Sequence, residues 1–271
     1  MEYILTLLYG IIEGITEWLP ISSTGHLILL KRFLPLDAFS NADFWSLFEV
    51  IIQLGAILAV IVLFFNKLFP FKIKEKFKPD KDIFIMWGKI LVACIPCILV
   101  VLLKLDDKFE ELFYNELSVS IALIVVGILF IIVESLNKNV KIDDIKKITL
   151  MQAFIIGLFQ LIAALFPGVS RSGITIIGAL VLGISRKTAA EFTFFLAIPA
   201  MLGASLLKLV KIGLNFSSSE LIILLLGTLT AFITSIIVIK FLMSYIKKHD
   251  FKVFGYYRII LGIIILLTIF L

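Results

Sequence analysis

The stretch GIIEGITEWLPISSTGH, residues 10–26, places two carboxylates inside an apolar segment and follows them with a proline and a polar turn. These carboxylates are Glu13 and Glu17. At membrane depth, each ionised group would raise the free energy of insertion by about 2.5–3.5 kcal/mol. Acidic residues at such positions usually have a partner or a function, so this stretch is the first candidate for a functional site.

The composition around this stretch is typical of a membrane protein. The chain has 271 residues, of which 61% are hydrophobic, and its mean hydropathy is +1.13. Soluble domains contain about 45–50% apolar residues. Several apolar runs reach the roughly 20 residues that cross a bilayer core. The sequence therefore predicts an all-α polytopic membrane protein, with one integral domain over residues 1–271.

Six apolar runs are long enough to be transmembrane helices: residues 45–66, 84–103, 117–136, 189–210, 220–242 and 254–271. Two further segments are broken by Pro20 and Pro167 into pairs of short helices: 3–19 with 24–34, and 150–166 with 173–184. Proline blocks continuation of a helix, and broken backbone survives at membrane depth only inside protein or beside a wet cavity. Both pairs are predicted to be re-entrant helical hairpins.

The loop charges predict an orientation. Lys and Arg collect in cytoplasmic loops, which explains the net charge of +5 better than nucleic-acid binding does. Basic loops near residues 67–81, 138–147, 186–187 and 247–252 are therefore expected inside the cell, and the acidic loop near 104–116 outside. This alternation places both ends of the chain outside and lets the hairpins enter the membrane from opposite faces.

The two hairpins also resemble each other in sequence. The interval from Gly10 to Pro20 equals that from Gly157 to Pro167, and a serine-rich turn follows each proline. This alignment pairs Glu13 with Gln160 and Ser23 with Ser170. It predicts an inverted-topology repeat with halves of about 1–136 and 150–271, an architecture whose binding sites lie at the repeat interface near the midplane.

The acidic pair in the first hairpin predicts a cation. Glu13 and Glu17 are one helical turn apart and share a helix face, and two such close carboxylates resist joint ionisation without a cation. Mg²⁺ is commonly held by one or two carboxylates plus substrate phosphates. The alternative is a structural pair with one acid protonated. Cys94 and Cys97 lack further zinc ligands and are interpreted as part of a spanning helix.

The turn after Pro20 supplies hydroxyls and a titratable base. Ser22, Ser23 and Thr24 precede or begin a short helix, and His26 lies in its first turn. Helix N-termini offer free N–H groups and a positive dipole end that suit phosphate. Helix capping alone would explain at least one of the hydroxyls.

The second turn, PGVSRSG, supplies a cation. Arg171 is interpreted as the only arginine within an apolar region, and Ser170 and Ser172 flank it. The planar guanidinium matches phosphate geometry, although a salt bridge to Glu13 or Glu17 would also explain it. Together the turns predict an anionic ligand, a phosphate or diphosphate with an apolar tail.

Both turns resemble known motifs. EGITEWLPISSTGH and PGVSRSGIT are similar to the two signatures of the undecaprenyl-diphosphate phosphatase, or bacitracin-resistance protein, family, and LFEVIIQLGAILAV also fits. The resemblance implies removal of the terminal phosphate of undecaprenyl diphosphate, which recycles the carrier lipid for cell-wall synthesis. It also implies a divalent cation, Mg²⁺ or Ca²⁺, and a site that opens to the outer side of the bacterial cytoplasmic membrane.

The residue types and the resemblance together assign roles to residues of this chain. The catalytic residues would be Glu17, Ser23, His26 and Arg171, and the metal ligands Glu13 and Glu17. The phosphate-binding residues would be Ser22, Thr24, Ser170, Arg171, Ser172 and Thr175.

Two questions stay open at this point. A transporter or flippase for an anionic lipid phosphate would share the inverted repeat and broken helices. Ser23 and His26 are expected to act as a unit with Ser23 as nucleophile, while direct attack by His26 or by metal-bound water are the alternatives. The polyprenyl diphosphate lipid and the membrane are the expected partners, and a homodimer is left open.

Overall fold

The structure is a computed structural model that describes residues 2–35, 41–72, 77–136, 140–213 and 216–269. Helices make up most of the described chain: α1 (Glu2–Thr16), α2 (Ser23–Phe33), α3 (Ala42–Leu63), α4 (Phe65–Leu68), α5 (Lys81–Leu102), α6 (Leu105–Phe113), α7 (Glu116–Leu136), α8 (Leu150–Leu165), α9 (Arg171–Val181), α10 (Arg186–Ile212), α11 (Ser218–Tyr245) and α12 (Lys252–Ile269). A 3₁₀ helix covers Ile145–Lys147, and a hairpin joins β1 (Phe71–Lys72) to β2 (Lys78–Pro79).

The prediction of an all-α polytopic membrane protein is confirmed. Within the described ranges, six helices are long and apolar enough to cross a membrane, namely α3, α5, α7, α10, α11 and α12. Their bounds lie within about one helical turn of the predicted ones. An apolar run that just spans the bilayer core constrains where each helix can begin and end. Pro96 and Pro199 lie inside α5 and α10 without ending them.

The predicted pairs of short helices are present as α1–α2 and α8–α9. Pro20 and Pro167 lie in the turns between them, as expected from the missing N–H of proline. Helix α1 ends at Thr16, before the predicted residue 19, so Glu17 lies at the beginning of the turn. Its backbone N–H still donates to the carbonyl of Glu13 at 2.9 Å, which keeps the two carboxylates close along the chain.

The packing of the two helix pairs is reciprocal. Helix α1 packs against α11, and its counterpart in the aligned half, α8, packs against α5, the counterpart of α11. Close approach depends on glycine at aligned positions. A Cβ atom at Gly10 would lie 2.6 Å from the carbonyl oxygen of Gly227, and one at Gly157 would collide with the carbonyl oxygen of Ala93. Two further contacts, α3–α10 and α7–α12, join helices that correspond in the aligned halves, and α3 also packs extensively against α11.

The loops contain elements that were not predicted, of which α6 and the β1–β2 hairpin are the largest. Helix α6 occupies the acidic loop, and its Phe109 and Phe113 rings pack on Phe166 at centroid distances of 5.4 and 5.2 Å. The β1–β2 hairpin lies in the first basic loop. Lys74, Lys76 and Lys138, which contributed to the predicted loop charges, lie outside the described residues.

Candidate active site

The two turns have the same unusual backbone conformation. Ser22 has φ 75° and ψ 104°, and Ser170 has φ 69° and ψ 113°. Each caps the helix that follows: the Ser22 Oγ accepts from the N–H of Gly25 at 3.4 Å, and the Ser170 Oγ from that of Gly173 at 3.2 Å. A positive φ at a non-glycine residue costs about 1–3 kcal/mol and recurs at functional sites. The surrounding contacts therefore hold these turns in place.

The conformation corrects the predicted register of the repeat. Ser22, not Ser23, is equivalent to Ser170, because the chain needs one more residue to reach the cap after Pro167 than after Pro20. The extra residue is accommodated at Gly168, whose φ is 89°. Ser23 is therefore equivalent to Arg171, and both are the first residues of their helices.

These two first residues meet at one carboxylate. Glu17 accepts a 2.6 Å hydrogen bond from Arg171 Nη2 through Oε1 and a 3.1 Å hydrogen bond from Ser23 Oγ through Oε2. Glu17 is buried, whereas Ser23 and Arg171 are partly accessible. Arg171 Nη1 also donates to the carbonyl of Thr193 at 3.0 Å, which aims its guanidinium at the turns. The structure thus joins three predicted catalytic residues from both hairpins.

Glu13 is fully buried, and its carboxylate lies beside that of Glu17. Neither of its oxygens accepts a hydrogen bond from a donor group among the described residues. A buried carboxylate without partners is unfavourable unless it is protonated or meets a cation. The side chain of Gln160, its aligned residue in α8, is also buried, and its Nε2 donates to Cys97 Sγ at 3.3 Å.

His26 has partners other than Ser23. Its Nδ1 lies 2.7 Å from the carbonyl oxygen of Ser22, and its Nε2 lies 2.7 Å from the hydroxyl of Tyr257. The imidazole and phenol rings are stacked at a centroid distance of 5.6 Å. Since the carbonyl only accepts, Nδ1 carries a proton. No hydrogen bond joins His26 to Ser23 in the described part of the chain.

The remaining candidate phosphate ligands differ in accessibility. Ser170 is partly accessible, and its Oγ lies 3.2 Å from that of the buried Ser172. Thr175 is fully buried and donates to the carbonyl of Arg171 at 2.8 Å, which makes it a support for the second turn. Thr24 is partly accessible on the first turn of α2.

Sequence reasoning missed four residues around this site. Arg258 on α12 is fully buried, so the statement that Arg171 is the only arginine in an apolar region was wrong. Its position within a predicted span was a signal that could have identified it. Tyr257, Thr193 and Trp18 gave no such signal, since aromatic and hydroxyl side chains are common in spans. The Trp18 ring lies 5.8 Å from the guanidinium carbon of Arg171.

Comparison with known proteins identifies the family. A family model described as Bacitracin resistance protein BacA matches residues 6–264. The chain is 57% identical to Undecaprenyl-diphosphatase 1 of Clostridium acetobutylicum, over 98% of this chain and 97% of the relative. It is 58% identical to Undecaprenyl-diphosphatase of Lachnoclostridium phytofermentans, over 98% and 96%. With Undecaprenyl-diphosphatase of Enterococcus faecalis the identity is 55%, over 96% and 95%. The chain therefore belongs to the bacitracin resistance protein BacA family.

Proposed function

We propose that this protein hydrolyses undecaprenyl diphosphate to undecaprenyl phosphate and inorganic phosphate. The reaction recycles the carrier lipid for peptidoglycan synthesis and gives resistance to bacitracin. Relatives of more than 50% identity carry the name undecaprenyl-diphosphatase. The observation that carries the proposal is the meeting of Ser23, Glu17 and Arg171 at the N-termini of α2 and α9. The base Glu17 thereby contacts both the nucleophile, Ser23, and the phosphate-binding guanidinium of Arg171.

The two helix N-termini and Arg171 form the phosphate-binding part of the site. Free N–H groups in the first turns of α2 and α9 favour an anion, and the guanidinium of Arg171 can bind two phosphate oxygens at once. The terminal phosphate would replace the Glu17 carboxylate as the partner of Arg171. In the transition state, these donors stabilise the charge that spreads over the equatorial oxygens.

Ser23 is the nucleophile in this proposal and Glu17 is its base. The Ser23 hydroxyl already donates to Glu17 at 3.1 Å, which is within the range expected of a general base. The Ser23 Oγ–P bond forms, the bond from phosphorus to the bridging oxygen breaks, and undecaprenyl phosphate leaves. Water then hydrolyses the phosphoserine and releases inorganic phosphate. The hydroxyl's proton passes to Glu17, whereas His26, which was expected to act as a unit with Ser23, has no hydrogen bond to it among the described residues.

The residues present also fit a divalent cation. Neither buried oxygen of Glu13 accepts a hydrogen bond from a described donor group, and the carboxylate of Glu17 lies beside it. Within the described ranges, no group of three or more His, Cys, Asp or Glu side chains is placed to hold a metal. Two carboxylates plus substrate phosphates are a common Mg²⁺ environment. Glu13, with Glu17, would hold the cation, which would neutralise charge on the diphosphate.

The loop charges and the family resemblance support an orientation of the site in the membrane. Six spans and two helix pairs, with basic loops inside, favour the bacterial cytoplasmic membrane, and the resemblance implies a site that opens to the outer side. The two halves would form an inverted repeat, and the exchange of packing partners between α1–α11 and α8–α5 supports this relation. The helix pairs would then be re-entrant hairpins that approach each other from opposite leaflets.

Phosphate release by the purified protein tests the function. With undecaprenyl diphosphate and Mg²⁺ in detergent, the protein should release one phosphate for each molecule of undecaprenyl phosphate formed. The Ser23→Ala variant is the control for contaminating phosphatases and should release almost none. A transporter or flippase would instead move labelled lipid across proteoliposomes without releasing phosphate, and that result would contradict the proposal.

A further inference from the structure

Arg258 links the two turns of the site through hydrogen bonds to the backbone of each. It projects from α12 and is fully buried. Its Nη1 donates to the carbonyl of Pro20 at 3.3 Å, and its Nη2 donates to the carbonyls of Gly168 and Val169, each at 2.9 Å. The acceptors lie just before the two capping serines. One side chain therefore bonds the main chain of both hairpins where the backbone is strained.

Gly127 and Gly255 allow α7 and α12 to approach closely, which brings the guanidinium of Arg258 to the two turns. A Cβ atom at Gly127 of α7 would lie 2.7 Å from the carbonyl oxygen of Gly255 and 3.2 Å from the Cβ of Arg258. Any larger residue would separate α7 from α12. The close contact of α7 and α12 fixes the position of the Arg258 side chain relative to the two turns.

The charge of Arg258 lacks a counterion in the described part of the chain. No described carboxylate pairs with it, and its buried Nε has no hydrogen-bond partner. Arg171, by comparison, is paired with Glu17. An unpaired charge in the interior is strongly unfavourable, and three carbonyl dipoles compensate it only in part. The region beneath the turns is therefore more positive than the accessible side chains of the site suggest.

We infer that Arg258 is a positioning residue that holds both turns in register and whose unpaired charge is balanced by the phosphate groups bound above it. This role rests on the proposed function, because it assigns the phosphates to the two turns. Arg258 is buried beneath the turn backbone, so it acts on the substrate through the turns and through its charge.

Two substitutions separate geometry from charge. Arg258→Met removes both the hydrogen bonds to the turns and the positive charge. It should raise the KM for undecaprenyl diphosphate and the inhibition constant of inorganic phosphate about tenfold. It should also lower kcat strongly. Arg258→Lys retains the charge but cannot bond both turns, since an ammonium is a point donor. It should restore phosphate inhibition to near the wild-type value while kcat stays low. A merely structural role would not produce this split.

Arg186→Lys is the matched control. Arg186 pairs with the buried Glu134 at 2.7 Å, with no contact to either turn. This variant should lower the thermal stability in detergent without changing KM or phosphate inhibition. The positioning role is overturned if Arg258→Met keeps the wild-type KM, kcat and inhibition constant. It is also overturned if Arg186→Lys, with a similar loss of melting temperature, changes these constants equally. If Arg258→Met does not fold, a wild-type kcat for Arg258→Lys overturns it equally.

Phosphate binding keeps the two proposals distinguishable. Inorganic phosphate should raise the melting temperature of the wild-type protein. The increase should be smaller for Arg258→Met and nearly as large as in the wild type for Arg258→Lys. This measurement needs no turnover. Absence of phosphate release by the wild type would therefore refute the function alone, whereas equal stabilisation of wild type and Arg258→Met by phosphate would refute the role of Arg258.

Discussion

At the scale of single residues, the site depends on the pairing of charges from two separate hairpins. The Arg171–Glu17 pair is mostly buried, with side-chain exposures of 15% and 7%. Breaking a buried pair leaves an uncompensated charge. Substitutions here should therefore affect the site far more than those at the exposed pairs, such as Lys147–Asp143, whose contribution to stability is small.

We expect Arg171→Lys to lower phosphate release about 100-fold, comparable to the loss of one transition-state donor in other enzymes. Lysine keeps the charge but cannot bond the Thr193 carbonyl and two phosphate oxygens with one planar group. The measurement is kcat with undecaprenyl diphosphate, with Lys147→Arg, on an exposed loop, as the control. Turnover near that of the wild type would mean that Arg171 contributes only general positive charge.

Glu17→Gln should be more damaging than Glu13→Gln. Glu17 contacts both Ser23 and Arg171, so the amide would lose the base and the ion pair together. Glu13 has no such contacts, and its amide variant should mainly raise the Mg²⁺ concentration needed for half-maximal rate. Titrations of both variants with Mg²⁺ measure this difference. The opposite order of severity would refute the assigned roles.

At the scale of elements, the sequence was sufficient wherever a single physical property decided the structure. Apolar length defined the six spans, and proline ended α1 and α8. Helix α6 was missed because its nine residues form no apolar run and become ordered by packing Phe109 and Phe113 against Phe166.

The site was predicted in part for the same reason. Residue types identified Glu17, Ser23 and Arg171, but their mutual contacts depend on how the helices pack. The register of the repeat was wrong by one residue because the prolines were assumed to precede turns of equal length. Arg258 could have been noticed as an arginine within a predicted span, but its contacts with both turns, like that of Tyr257 with His26, depend on where α12 packs.

Glycine substitutions test the close packing of the helix pairs. We expect Gly157→Ala to lower the melting temperature, because the added methyl would meet the backbone of Ala93, and overpacking of this kind costs about 1–3 kcal/mol. Gly88→Ala is the control, since a methyl group added there would meet nothing within 4 Å. Thermal unfolding in detergent compares them. Equal melting temperatures would contradict the packing of α8 on α5.

At the scale of the whole molecule, the predicted topology has the two hairpins entering the membrane from opposite faces. With residues Cys94 and Cys97 replaced by alanine, a cysteine at position 108 in α6 should react with an impermeant maleimide added to intact cells. A cysteine at position 78 in the β1–β2 hairpin should react only after the membrane is opened. Labelling of position 78 from outside would reverse the topology and move the site to the cytoplasmic side.

Both hairpins converge on one reacting phosphate in this mechanism, and Ser23 supplies the oxygen that attacks it. Rapid-quench trapping with substrate labelled at the terminal phosphate is the decisive measurement. We predict an acid-stable, base-labile phosphoenzyme on Ser23 that is absent from Ser23→Ala and accumulates little in Arg171→Lys. An acid-labile phosphohistidine on His26, or turnover without any phosphoenzyme, would contradict the mechanism.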